Sequence, residues 1–352
     1  MKVGLLGYGG VGKTTLFTVL AGQEVAAGAP GERHLGSVEV IDPRLDHVRD
    51  LWKPRKFTRA RFEVEDGPAL PRGDVAGRGE KVAALREPDA FLLVIGGFEE
   101  AALQLGKELA DPLAQRRALL DDLLLYDLEA LERRHSKSRD RLKKGSGDRA
   151  ALLREVEQLE KITAHLEAGK SPRELQQDGD VRKLIQELKL FLDRPLVTVF
   201  NVGEAALSDA AAVAALKKTE RSAVLCAPIE KEIAGLPVPD RAAFLAEYGL
   251  AEPASPLLTR LAYESLDLLS FFTMGPDEVR AWPIPRGSSA LTAAGRIHSD
   301  LARGFIRAEV IPYAQVASAT NERELKAASR AELMGKEYEV QDGDILNIRF
   351  SV

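Results

Sequence analysis

With 352 residues, 45% of them hydrophobic and 29% charged, the chain has the make-up of a folded globular protein and the length for two or three domains. A net charge of −5 argues against bulk attraction to nucleic acid. The single cysteine, Cys226, excludes intramolecular disulfides and cysteine-built metal sites. No apolar run nears membrane-span length and no signal pattern opens the chain, so the expectation is a cytoplasmic protein without a membrane partner.

The first element is the apolar run Val3-Gly4-Leu5-Leu6, a buried strand. Gly7-Tyr8-Gly9-Gly10-Val11-Gly12-Lys13-Thr14 follows, and Thr15 to Leu20 continues as a helix. Strand, glycine loop and helix in that order fit G-x-x-x-x-G-K-[ST], the phosphate-binding P-loop. Glycines let consecutive backbone amides face a phosphate, and the helix N-terminus adds unpaired donors. Gly9, Gly10, Val11, Gly12, Lys13, Thr14 and Thr15 are therefore the candidate phosphate cradle, with Lys13 reaching the β- and γ-phosphates and Thr14 ligating Mg²⁺. Gly7-x-Gly9-x-x-Gly12 also fits the dinucleotide fingerprint of a nicotinamide-dependent oxidoreductase, with Asp42 as its ribose acid. Lys13-Thr14 discriminates against that reading, and Asp42 lies about 30 residues on rather than about 20.

Ala26 to Gly36 reads as a loop where a first switch would lie, and Gly36 to Ile41 as a strand. Asp42-Pro43-Arg44-Leu45 then turns into a helix ending near Trp52. Arg61 to Val64 is a short strand, Asp66 to Gly73 a turn-rich second switch, and Ala90 to Ile95 a buried strand. From Asp111 to Leu190 leucines recur at helical spacing. Leu120, Leu124, Leu128 and Leu131 form one stripe, and Leu152, Val156, Leu159, Ile162 and Leu166 form another. The charged breaker Lys143 to Asp148 between them predicts an antiparallel helical hairpin. Basic residues from Arg133 to Lys144 gather near its tip, either as a solvated face or as a nucleic-acid or ribosome contact. Pro195 to Phe200 restores the strand pattern and ends in Asn201-Val202-Gly203-Glu204, and Ser222 to Ala227 is the last strand of that sheet. Pro237 to Leu269 is largely helical. Strands around Trp282, at Phe305 to Val310 and at Ile345 to Phe350 build a smaller final module.

The distal segments carry a family resemblance. Glu278-Val279-Arg280-Ala281-Trp282, Ile297-His298-Ser299-Asp300, Gly304 to Val310 and Val340-Gln341-Asp342-Gly343-Asp344 resemble the TGS segments of the YchF family of Obg-like ATPases, and Asp42 to Leu45, Phe244-Leu245 and Gly249-Leu250 match as well. The resemblance implies an α/β fold. It comprises a Ras-like P-loop NTPase domain (1–111 and 191–268), a coiled-coil hairpin inserted at 112–190, and a ubiquitin-like (β-grasp) TGS domain at 269–352. It implies that Asn201-Val202-Gly203-Glu204 is the family's Asn-x-x-Glu variant of a guanine-selecting motif. ATP is then preferred over GTP, with Asn201 and Val202 beside the adenine and Cys226-Ala227 in the loop closing over the base. It further implies Asp66 as a water-mediated Mg²⁺ holder, Lys13, Asp66 and Leu70 as the catalytic set, and a monomer that binds an adenine nucleotide and the ribosome or ribosomal RNA. His298 reads as a structural or contact residue.

The parts that do chemistry depart from the family pattern. Pro30 stands where a switch threonine belongs and Ala69 where a γ-phosphate-sensing glycine belongs, Pro68 and Pro71 stiffen the second switch, and Gly9-Gly10 replaces proline and asparagine. The leading reading is a slowly hydrolysing regulatory ATPase; the alternatives are a switch that works by nucleotide occupancy without significant hydrolysis, or a GTP-binding protein.

Overall fold

A computed structural model describes residues 1–22, 33–72, 82–175 and 177–351. Among them the order begins β1(Lys2–Leu6), α1(Lys13–Ala21), β2(His34–Glu39), α2(Pro43–Trp52), β3(Lys56–Thr58), β4(Arg61–Asp66), β5(Ala90–Gly97), α3(Glu99–Leu105), α4(Pro112–Lys143), α5(Arg149–Glu167), α6(Gly179–Leu188) and β6(Leu196–Val202). It continues α7(Glu204–Ser208), α8(Ala210–Lys217), β7(Ser222–Leu225), α9(Ala227–Gly235), α10(Val238–Glu247), α11(Ala254–Ser265), β8(Leu268–Met274), β9(Glu278–Pro285), α12(Ala290–Ile297), α13(Ser299–Arg303), β10(Phe305–Ile311), α14(Tyr313–Val316), α15(Glu322–Ala328), β11(Glu332–Met334) and β12(Ile345–Phe350). No helix among these residues is long and apolar enough to cross a membrane.

The chain divides into two compact units, the first made of Met1–Gly36 and Glu63–Ala254. The first sheet has the order β2-β4-β1-β5-β6-β7. β1 pairs in parallel with β4 and β5, and β5, β6 and β7 follow in parallel register. Helices cover both faces of such a sheet, so its strands read as unbroken apolar runs; β5 is buried from Ala90 to Gly96. Strand order reverses at β1, and the crevice beyond the carboxyl end of such a strand is where open α/β sheets bind ligands.

The α5 stripe is buried as its spacing predicts, from Leu152 to Leu166. α4 differs by one residue. Its fully buried apolar positions are Leu119, Leu123, Tyr126 and Leu131, while Leu124 and Leu128 pack half-buried against the cluster built by Leu159, Ile162, Val181 and Ile185. A helix covered on two sides has two apolar stripes, and the sequence pattern displays the weaker one. Asp148 accepts from the amides of Ala150 and Ala151 and so caps α5 directly after the Lys144–Asp148 link.

The second unit is Ser37–Phe62 with Ser255–Val352. Its sheet runs β11-β10-β12-β8-β9-β3. Successive side chains of a strand face opposite ways. Phe272 accordingly enters a core with Leu45 and Val48 of α2, and Phe271 enters another with Ala290, Ala293 and Ala294 of α12. The linear division at 111 and 268/269 does not anticipate this arrangement. Residues 37–62 sit with the C-terminal segment because β3 pairs in parallel with β9, Lys56 opposite Glu278, and α2 packs against β9. Within this unit Arg44 joins Asp42 to Asp342, donating at 2.8 and 2.9 Å.

Candidate functional site

The loop between β1 and α1 is shaped by two close approaches. A Cβ on Gly7 would lie 2.5 Å from the Val94 carbonyl oxygen of the neighbouring strand. Gly12 is left-handed, at φ 88° and ψ 22°, and a Cβ there would run into the Asn201 amide. No side chain caps α1, so its first amides stay open to an acceptor.

Lys13 is 8% exposed, and its Nζ donates to the carbonyls of Tyr8 at 2.9 Å and Gly7 at 3.2 Å. Burial pushes the ammonium below its ordinary range, and the Asp66 carboxylate opposes that shift. The Thr14 hydroxyl donates to Asp66 Oδ2 at 2.6 Å, while Asp66 Oδ1 is buried without a hydrogen-bond partner. Lys13, Thr14 and Asp66 thus lie close together at the start of α1. Leu70 reaches the same loop through its backbone, its amide donating to the Gly7 carbonyl at 3.0 Å, and its side chain is buried. Gly9 faces the second-switch segment, a Cβ there lying 3.9 Å from that of Ala69. Pro30 lies outside the described residues.

A cavity of about 530 Å³ opens beside the loop. Gly10, Gly12 and Thr15 form one part of its wall, and Asn201 to Glu204, Cys226 and Ala227 another. Asn201 is 2% exposed and staples three segments: its Nδ2 donates to the Val11 carbonyl at 3.0 Å, and its Oδ1 accepts from the Ala227 amide at 2.9 Å. Val11 is buried and contributes its carbonyl rather than its side chain. Val202 and Cys226 are almost fully buried, and burial pushes the Cys226 thiol up. Cys226 does not end the last strand as the sequence predicts. β7 stops at Leu225, Cys226 occupies the N-cap position, and Ala227 opens α9 with Pro228 preset for the first turn.

Two groups escape the sequence reading. Tyr8, inside the loop, donates to Asp122 Oδ2 of α4 at 2.7 Å, and the pair is buried. The same helix face receives the loop's neighbours: the Tyr126 hydroxyl donates to the Pro71 carbonyl at 3.2 Å, and Arg86 donates to Asp127 Oδ1 at 2.6 Å. In sequence Asp121-Asp122 is indistinguishable from a solvated helix face. Tyr248, on the cavity wall, hides in a stretch that reads only as helix, one residue before the Gly249-Leu250 match.

A glycine loop at the point where strand order reverses, a buried lysine folded into it and a threonine–aspartate pair at its helix define a P-loop nucleotide-binding protein. A family model named YchF-GTPase_C and described as "Protein of unknown function (DUF933)" matches residues 268–351. The chain is 33% identical to the ribosome-binding ATPase YchF of Bacillus subtilis (strain 168) over 368 residues, covering all of both chains. It is 35% identical to the Haemophilus influenzae protein of that name over 364 residues, covering all of this chain and 99% of the other. Its fold is similar to that of the Schizosaccharomyces pombe YchF GTPase, with a TM-score of 0.77, 24% identity, and coverage of 99% of this chain and 97% of that one. The chain belongs to the YchF family.

Proposed function

We propose that this chain is an ATP-binding, slowly hydrolysing regulatory protein that acts on the ribosome. The observation that carries the reading is the joined set of Lys13, Thr14 and Asp66 at an uncapped helix N-terminus, in a chain whose full-length relatives are named ribosome-binding ATPases. Lys13 and the loop amides would neutralise phosphate charge. The partnerless buried Asp66 Oδ1 beside the Thr14 hydroxyl fits a hydrated Mg²⁺, which Thr14 would ligate directly and Asp66 through water; the ion would supply charge neutralisation at the phosphate oxygens. The apolar, buried Leu70 offers an attacking water no base, which supports slow intrinsic turnover. The α4–α5 pair fits the coiled-coil insertion of this family and the C-terminal sheet its TGS domain. Both serve as ribosome-contacting surfaces in this reading, although some of the basic charge on α4 is paired internally, as in Arg139 with Glu160 at 3.2 Å.

Ala69 favours a second reading, occupancy without cleavage, because its side chain replaces the glycine that γ-phosphate sensing calls for. Titration of fluorescent ATP and GTP analogues with Mg²⁺, followed by single-turnover hydrolysis, separates the readings. Tight ATP binding with slow cleavage, and a loss of affinity of about a hundredfold in Lys13→Ala, is the expected result. Binding without cleavage above that control, ribosomes included, establishes the occupancy switch, and absence of any nucleotide binding overturns both.

A further inference from the structure

We propose that Tyr248 sets the base preference of the cavity by holding the Glu204 carboxylate out of a base-reading position. The inference rests on the nucleotide-binding reading above and names the side chain that decides which purine the site takes.

Adenine and guanine differ along one edge. Guanine presents two adjacent donors there, N1–H and the 2-amino group, whereas adenine presents the acceptor N1 beside its 6-amino donor. A free carboxylate, which only accepts, matches guanine with both oxygens and repels the adenine N1 lone pair. Whatever favours adenine must therefore deal with any carboxylate on the wall. Asn201 cannot make this choice. Its oxygen takes the Ala227 amide and one N–H goes to the Val11 carbonyl, leaving one N–H for a ring acceptor that both purines share. Val202 has no polar side-chain group, and the Cys226 thiol is buried. The other polar side chains on the cavity wall are Thr15, Glu100, Glu204, Glu232 and Tyr248, and Glu204 is the carboxylate that follows Asn201-Val202 directly in the chain.

Glu204 and Tyr248 are already bonded to each other. The Tyr248 hydroxyl donates to Glu204 Oε1 at 3.3 Å. The Tyr248 ring packs on Phe244, centroids 5.2 Å apart, which sets the hydroxyl's direction before any ligand arrives. Partial desolvation and the surrounding charges of Glu204, Glu247 and Glu232 raise the phenol above its ordinary value, so it remains a donor at any working pH. Each carboxylate oxygen can accept more than one hydrogen bond, so the effect is one of direction: bonded to Tyr248, the Glu204 carboxylate is turned toward the phenol and away from the edge where guanine would present its two donors. The site then rejects guanine because a polar edge would go unmet, and such a loss discriminates far better than a change of shape.

The test is equilibrium titration of the full chain with fluorescent ATP and GTP analogues in Mg²⁺. It compares the wild type with Tyr248→Phe, Glu204→Gln and the double variant. Phenylalanine keeps the ring and its contact with Phe244 and removes only the donor. Tyr248→Phe is expected to move the ATP-to-GTP affinity ratio toward GTP by about tenfold, the worth of one hydrogen bond to a charged acceptor. The double variant is expected to show the ratio of Glu204→Gln alone. An unmoved ratio in Tyr248→Phe overturns the proposal, as does the same shift when Glu204→Gln is already present. A strong shift toward ATP in Glu204→Gln by itself also overturns it, since the carboxylate would then already read the base. In each of these outcomes nucleotide binding itself stands. A wild type that binds neither nucleotide overturns the function reading instead.

Discussion

Asp66 gives one carboxylate oxygen to the Thr14 hydroxyl and keeps the other buried and partnerless, an arrangement that costs about 1–3 kcal/mol until something meets it. In the proposed function a hydrated cation would meet it when nucleotide binds. Asp66→Asn is therefore expected to lower the Mg²⁺ enhancement of nucleotide affinity by about tenfold while leaving the ligand-free protein at least as stable. Parallel titrations with and without Mg²⁺, together with thermal melts, check both halves of that statement. Glu230 is a second buried carboxyl, 3% exposed, and its Oε2 accepts from the Ala254 amide at 2.7 Å. Burial raises its pKa and the amide opposes the shift. The folded protein then binds more protons than the unfolded one from about pH 4.3 up to the raised value, so the stability this group contributes falls as pH climbs through that window. Urea unfolding at a series of pH values should show the wild type losing ground to Glu230→Gln as pH rises; the opposite slope refutes the assignment. At this scale legibility depended on locality. Lys13 and Thr14 were readable because their chemistry is fixed by spacing along a few residues. Asp122 was not, because its partner Tyr8 lies more than a hundred positions away.

The long helix α4 is the element on which the nucleotide end of the first unit is mounted. Gln115 exchanges two bonds with the Gly96 backbone at the end of β5, Asp122 takes Tyr8, Tyr126 reaches Pro71, and Asp127 takes Arg86. Asp127 is fully buried and also accepts the Phe191 and Leu192 amides, both at 2.9 Å, while the Arg86 guanidinium stacks 4.3 Å above the Phe191 ring. Truncating one partner of such a pair strands the other charge. Arg86→Met is expected to cost about 3–5 kcal/mol in urea unfolding, and adding Asp127→Asn should recover part of it. If the single variant costs under about 1 kcal/mol, the pair is not the anchor described. The existence of α4 was plain from its leucines, but its orientation was not. Leu120, Leu124 and Leu128 form the more conspicuous stripe, whereas the deeply buried face runs through Leu119, Leu123 and the polar anchors, which carry no hydrophobic signal.

For the whole molecule, linear order and spatial grouping disagree. Residues 37–62 fall between α1 and the Asp66 strand, yet their apolar side chains Leu45, Val48, Leu51 and Ala60 are buried with Phe272, Val279 and Ala281. A chain ending at Ala254 is therefore expected to expose that surface and aggregate, which light scattering against the intact protein would reveal; a clear, monodisperse solution would show that the segment does not depend on the C-terminal strands. The sequence displayed Asp42 to Leu45 and Val340 to Asp344 as separate matches. Their meeting through Arg44 and Asp342 is a long-range ion pair, and β3 is three residues with no period to read. The same threading imposes a timetable on synthesis. The first unit is complete once Ala254 has emerged, whereas Ser37–Phe62 must wait for a partner made roughly 190 residues later, about 10–40 s at 5–20 residues per second. During that interval Leu45, Val48 and Leu51 are uncovered on the nascent chain, and a chaperone that shields this stretch would act before the C-terminal strands exist to do so.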